Sequence, residues 1–254
     1  MEPLSIALSL ILGLISPVGL VSDRVAEQQI RKQLYKAESL QVRIDNAPTY
    51  QLIKGKIDRV RVAGRGLYLT PDVRIEGLDI ETDPIALVGL STKLDQPLQA
   101  AIRLTLTEAD INRAFSDPQF TAAFNALGTD RTGRRGRYQV LNPQIKLLGG
   151  DRLRIAAQLT ERGYPDTLNL TMETTIIVIA GRSIELVNPI IKVNDKLAPQ
   201  ILVDSLSKGA SQRFDLNQFE AMGMTLRVLK LEQVQEGLQL VGFTQIRPKL
   251  EKTP

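Results

Sequence analysis

"QLIKGKIDRVRVAGRGLYL", residues 51–69, is the stretch whose reading decides the fold. From Arg59 onward, charged and apolar residues alternate with the period of a β-strand, whose successive side chains point to opposite faces. Arg59, Arg61, Ala63 and Arg65 then share one face, and Val60 and Val62 the other. A strand that is basic on one side and oily on the other belongs to a sheet with one covered face and one wet face. Gly64 and Gly66, with Gly77 further on, fall where the alternation slips phase, as expected of bulges that coil a sheet.

The same period recurs outward in both directions. It is present in "LQVRID" (40–45), "DVRIEGLDIETD" (72–83) and "AAIRLTLT" (100–107), where Ile102, Leu104 and Leu106 alternate with Ala101, Arg103 and Thr105. A second strand-rich half holds "DRLRIAAQLTE" (151–161), "DTLNLTMETTIIVIAG" (166–181) and "RSIELVNPIIKV" (182–193). "MTLRVLKLEQV" (224–234) and "LQLVGFTQI" (238–246) close the chain as a hairpin turning through Glu236–Gly237.

Helical spacing interrupts the strands in three places. In "SDRVAEQQIRKQLYKAESL" (22–40), Ser22 stands as N-cap, with Val25, Ile30, Leu34 and Ala37 near one face. In "TEADINRAFSDPQFTAAFNALG" (107–128), Thr107 and Asp110 form a capping-box pattern, a second segment restarts at Asp117–Pro118, and Phe115, Phe120, Phe124 and Leu127 make the apolar face. The third helix is expected near "DKLAPQILVDSLSKG" (195–209), with Asn194 as cap and Leu197, Ile201 and Ser205 at helical spacing. No short-period repeat and no regular β/α alternation is visible. The expected class is α+β with long curved antiparallel strands.

Composition removes more chemistry than it suggests. The chain has no histidine and no cysteine, which excludes Ser-His-Asp and Cys-His catalysis, imidazole and thiolate metal sites, and disulfides. "AGRGL" (63–67) lacks the third glycine of a dinucleotide fingerprint, and no phosphate-loop spacing occurs. Asp79, Glu81 and Asp83 alternate along one strand as either a solvated face or a carboxylate site. A formal net charge of +4 favours anionic surfaces, while 4% aromatic residues without tryptophan argue against a nucleic-acid platform.

Two features point to membranes. Leu4–Val21 runs without a charge, about the minimum length for crossing a bilayer core of roughly 30 Å, and reads as an anchor, a cleaved signal or a buried helix. Arg24, Arg31, Lys32 and Lys36 follow it with no basic residue before it, a bias that puts the main domain on the cytoplasmic side. The densest positive charge, Arg131, Arg134, Arg135 and Arg137, lies in the polar loop "GTDRTGRRGR" (128–137), either as a solvated loop or as an anionic head-group contact.

From about Asp23 to Ile246 the chain resembles the LmeA-like phospholipid-binding family of bacterial domains. The resemblance rests on Pro48, Leu52, Gly55, Val60, Val62 and the "LTEADIN" (106–112) entry to a helix. It implies a non-enzymatic phospholipid-binding or lipid-transfer protein of the membrane or envelope, with a tubular lipid-binding (TULIP-like) fold whose curved strands wrap helices around an apolar slot. It also implies an envelope-side location, against the charge bias. No catalytic residue, cofactor or metal is implied, the expected partners are phospholipid and a membrane surface, and a nucleic-acid partner is not expected.

On this reading Val60, Val62, Leu104, Leu106, Phe115 and Phe124 line the slot. Arg131, Arg134, Arg135 and Arg137 meet the head group, and Arg59, Arg61 and Arg65 keep the outer face soluble and drawn to anionic lipid. Residues 1–22 form the anchor or signal segment, 23–247 a single lipid-binding-like α+β domain, and 248–254 a polar tail. The alternative is an envelope scaffold whose strands pack shut without a cavity.

Overall fold

The structure is a computed structural model that describes residues 23–46, 54–89, 93–117, 138–161, 167–200, 203, 215–235 and 237–248. Helix α1 (Asp23–Gln33) leads into β1 (Lys36–Asp45), β2 (Lys56–Ile57), β3 (Arg59–Tyr68), β4 (Arg74–Thr82), β5 (Ile85–Ala86) and β6 (Leu98–Leu106). A short helix α2 (Glu108–Ala114) precedes β7 (Tyr138–Gly149), β8 (Arg152–Glu161), β9 (Thr167–Ile179), β10 (Ser183–Val193) and β11 (Lys196–Leu197). A 3-10 turn (Leu216–Met222), β12 (Met224–Val234) and β13 (Gly237–Ile246) follow.

The strands form two large antiparallel sheets. Sheet 1 has the order β1-β3-β4-β6-β13-β12, sheet 2 the order β11-β10-β9-β8-β7, and β2 pairs with β5 as a small ribbon. Neither large sheet closes on itself into a barrel. Sheet 1 is completed from far along the chain: β13 pairs with β6 from Leu238 opposite Leu106 to Ile246 opposite Leu98. Sheet 2 is therefore inserted between two parts of sheet 1.

The core of sheet 1 follows from the alternation in β3. Val62 lies in one cross-strand row with Val42, Ile80 and Ile102. Helix α1 covers this face with Ala26 and Ile30, one turn apart, Leu34 just past its end continues the row, and Ile57 and Ile85 of the ribbon join the same cluster. Ala26, Ile30, Val60 and Val62 are each 3% exposed. Each large aliphatic side chain removed from water in this way contributes about 1.5–3 kcal/mol. Val25, expected on the inner side of α1, is 39% exposed because the buried stripe runs through Ala26.

Gly66 produces the expected phase slip without a shift in pairing register. It sits at φ +55, so that Leu67 turns inward beside it and folds over Gly64, where a Cβ would lie 2.5 Å from Leu67 Cδ1. The register shifts lie elsewhere, two of them at a recurring Asn-Pro dipeptide. Asn142-Pro143 in β7 and Asn188-Pro189 in β10 open "NPQIK" (142–146) and "NPIIK" (188–192). Each asparagine has positive φ (49 and 52), and strand pairing skips at each site. Proline cannot donate to a ladder, so it is tolerated at bulges and at edges such as β7.

Asn194, expected as a helix cap, instead forms with Asp195 the two-residue turn from β10 to β11, at φ 48 and 62. Its Oδ1 accepts from the Asn169 N–H at 2.9 Å. Leu197, expected on a helical face, is in β11 and 75% exposed. The expected β12–β13 hairpin forms, with Val234 opposite Gly237.

Candidate functional site

Sheet 2 carries an apolar face that is only partly buried. In β8 the alternation places Leu153, Ile155, Ala157 and Leu159 on one side, and the register carries that side across the sheet. Ile155 lies beside Ile145 of β7 and Met172 of β9, and Met172 beside Ile191 of β10. Ala157, Leu170 and Val193 form a second row, and Ile176–Leu186 and Val178–Ile184 extend the face toward the β9–β10 turn. Four strands at about 4.8 Å separation make this face about 14 Å wide.

Burial across the face is graded. Leu153, Ile155, Ala157, Leu159, Leu170 and Ile191 are buried, whereas Ile145, Leu147, Met172, Ile176, Ile184, Leu186 and Val193 are only half-buried. Ala198 and Val203 pack against the Leu159–Leu170–Ile191 cluster. At the turn end, Val178 packs with Leu216, Phe219, Met224 and Val228, which joins sheet 2 to the 3-10 turn and β12.

Polar contacts fix this face relative to sheet 1. Helix α2 begins with the capping box expected from sequence: the Asp110 N–H donates to Thr107 Oγ1 at 3.0 Å, and the Thr107 N–H donates to Asp110 Oδ2 at 3.2 Å. From that helix, Asn112 Nδ2 donates to the Ile145 carbonyl at 2.8 Å, and Asn112 Oδ1 accepts from the Ile145 N–H at 2.7 Å. Glu108 Oε2 accepts from the Leu147 N–H at 2.8 Å. At the other end of sheet 1, the Val228 N–H donates to the Gly181 carbonyl at 2.8 Å, and Gln233 bonds both the Gly149 N–H and the Arg152 carbonyl.

The root of α2 is held by charge. Asp110 is 2% exposed and receives both of its oxygens' contacts with Arg74 Nη1 at 3.1 Å. The same guanidinium bonds Glu76 at 2.6 Å and approaches Glu38 at 3.4 Å. Burial disfavours its charge, but the hydrogen bonds to Glu76 and Asp110 outweigh that and hold Arg74 above its ordinary value.

The residues expected to line a slot have different surroundings. Val60 and Val62 are packed beneath α1, and Leu104 and Leu106 are half-buried against the same cluster. Phe115 is 9% exposed at the C-cap of α2. Phe124, Arg131, Arg134, Arg135 and Arg137 lie outside the described residues, as does Leu4–Val21. Arg59, Arg61 and Arg65 do face outward, each in an ion pair: with Glu81 at 2.9 Å, with Asp45, and with Asp79 at 2.8 Å. Asp79 and Glu81 are thus engaged by arginines, and among the described residues no group of three or more acidic side chains is arranged to hold a metal ion. No described helix is long and apolar enough to cross a membrane.

Sequence reasoning found β8, β9 and β10 without assigning their faces, and missed β7 and β11. The available signal was the run Leu153, Ile155, Ala157, Leu159, whose partners in β9 are Thr174, Met172, Leu170 and Leu168, apolar at all but the first position. Sheet 2 is thus an antiparallel sheet with a broad, partly exposed apolar face. The chain belongs to the LmeA-like phospholipid-binding family, whose sequence model matches residues 15–243. No curated protein and no solved structure matches it.

Proposed function

We propose that the protein is a non-enzymatic phospholipid-binding or lipid-transfer module of the cell membrane or envelope. The observation that carries the reading is the half-buried apolar face of sheet 2, in a chain whose family is described as phospholipid-binding. Acyl chains laid along Met172, Ile176, Leu186 and Val193 are desolvated at about 0.8 kcal/mol per methylene. The tubular architecture, with residues 23–247 acting as one unit, fits antiparallel strands of nine to thirteen residues. Leu4–Val21 supplies the membrane attachment, and Arg131, Arg134, Arg135 and Arg137 the head-group contact. Phe115, at the C-cap of α2, and Phe124 supply further contact with the acyl chains.

The test is organic extraction of the purified full chain followed by lipid mass spectrometry. Stoichiometric phospholipid is expected, and Leu186→Asp is expected to lose it while remaining folded. Lipid-free protein that takes up none of an added phospholipid would refute the reading.

The scaffold alternative is favoured by one observation. The face of sheet 1 holding Val60 and Val62 is packed shut beneath α1. If sheet 2 were closed in the same way, the module would hold its neighbours together without a ligand, and extraction would yield no lipid.

A further inference from the structure

We propose a second binding site, for a phosphate-bearing group, on the outer face of sheet 1. This site is independent of the acyl-chain face on sheet 2. Its shape follows from short residues set among long ones. Ala63 of β3 lies in register between Gln41 and Asp79, and Ala101 of β6 between Glu81 and Phe243. The result is a groove of about 430 Å³ with Ala63, Ala101 and Val241 among its lining and Arg43, Arg61 and Arg103 around it.

The groove's charges do not balance. Asp79 is held by Arg65 through two bonds, at 2.8 and 3.2 Å, and Glu81 by Arg59 at 2.9 Å, so each acid has its own arginine. Arg43 and Arg61 stand directly opposite each other across β1 and β3, and both pair with the single carboxylate of Asp45. Like charges directly opposite in a sheet destabilise it. Arg103, opposite Asp79 on the other side, has no ion pair among the described residues. Two positive charges are left over, one on each flank of a depression that Ala63 and Ala101 leave open and whose lining also holds Gln41 and the arginine-paired Asp79 and Glu81.

Guanidinium groups match phosphate oxygens in paired, charge-assisted hydrogen bonds. A phosphate ester would relieve the Arg43–Arg61 repulsion while its short carbon skeleton rests against Ala63 and Ala101. The ester has two sources, a phospholipid head group at a membrane surface or a free water-soluble phosphate ester. Glycerol phosphate carries no acyl chain, so failure here and failure of the lipid reading on sheet 2 are separable.

The test is calorimetric titration of the full chain with glycerol phosphate at constant ionic strength, beside flotation with phosphatidylcholine vesicles made with and without phosphatidylglycerol. Arg103→Gln changes an exposed side chain and leaves the fold intact. It is expected to weaken binding about fivefold, the effect of one basic residue near an anionic group. Ala101→Leu fills the depression without changing charge and is expected to weaken binding at least as much. Lys192→Gln removes the same charge from sheet 2 and is expected to change nothing. Saturable glycerol phosphate binding with this pattern identifies a soluble ester. The same pattern confined to phosphatidylglycerol vesicles identifies a lipid head group. Absence of saturable binding to both probes would overturn the proposal, as would equal losses in Arg103→Gln and Lys192→Gln with Ala101→Leu unaffected.

Discussion

Sheets 1 and 2 are made of the same antiparallel material and treat their apolar faces differently. On sheet 1, Ala26 and Ile30 of α1 and Leu34 just beyond it cluster with Val42, Val62 and Ile80, and these residues are all at least nine-tenths buried. On sheet 2 only the middle of the face reaches that burial, while Ile176, Ile184 and Leu186 stay half-buried. The apolar face of sheet 1 is thus covered throughout, and that of sheet 2 only in its middle. An apolar strand is not evidence for a ligand until its cover is known.

The sharpest break between the two faces is to place the same charge on each. Val62→Asp buries a carboxylate with no partner in a filled core and is expected to cost at least about 4 kcal/mol, enough to prevent folding. Leu186→Asp on the half-buried face is expected to cost clearly less in urea denaturation and to lose bound lipid instead. Equal destabilisation by the two would show that sheet 2 is closed as firmly as sheet 1.

The next effect lies where the sheets are tied together. Arg74→Met leaves the buried Asp110 carboxylate without its cation, and a loss of about 3 kcal/mol is expected. Thr107→Ala removes only the α2 cap, and about 1 kcal/mol is expected. Both changes loosen the helix that holds Ile145 and Leu147 of sheet 2. Hydrogen exchange at those two amides, whose N–H groups bond to Asn112 and Glu108, is expected to quicken in each variant.

The smallest effect concerns the polar face of sheet 2. The hydrogen bond from Arg154, with Arg152 adding to it, holds the Glu173 carboxyl below its ordinary value. A depressed carboxylate contributes stability above its unfolded-state value and loses it as pH falls through the folded one. Stability is thus expected to fall slightly on acidification in the wild type, and Glu173→Gln is expected to flatten that part of the profile in thermal melts. Because the pair is solvated, salt is expected to shrink the difference.

Local signals were the legible part of this fold. The alternation at Val60 and Val62, the Thr107–Asp110 capping box and the β12–β13 hairpin each depend on neighbours within a few residues, and each is present. Long-range choices were not legible. Nothing near Leu106 announces that its partner is Leu238, and nothing near Val62 tells a slot from a core, because α1 supplies the answer from another part of the chain. Asn194 is the instructive intermediate: asparagine suits both a helix cap and a left-handed turn, and the strand pairing of Val193 with Lys196 decides for the turn. The Asn-Pro bulges were visible as dipeptides, but their spacing of 46 positions hid their common role.

The central claim is that acyl chains lie on sheet 2 and not within sheet 1. The most direct test is methyl NMR of the full chain loaded with a phospholipid bearing a nitroxide on its acyl chain. Broadening of the Ile176, Ile184 and Leu186 methyl signals, with those of Val62 and Ile80 unaffected, is the predicted result. Broadening at Val62 and Ile80 instead, or at neither set with lipid bound, would contradict it.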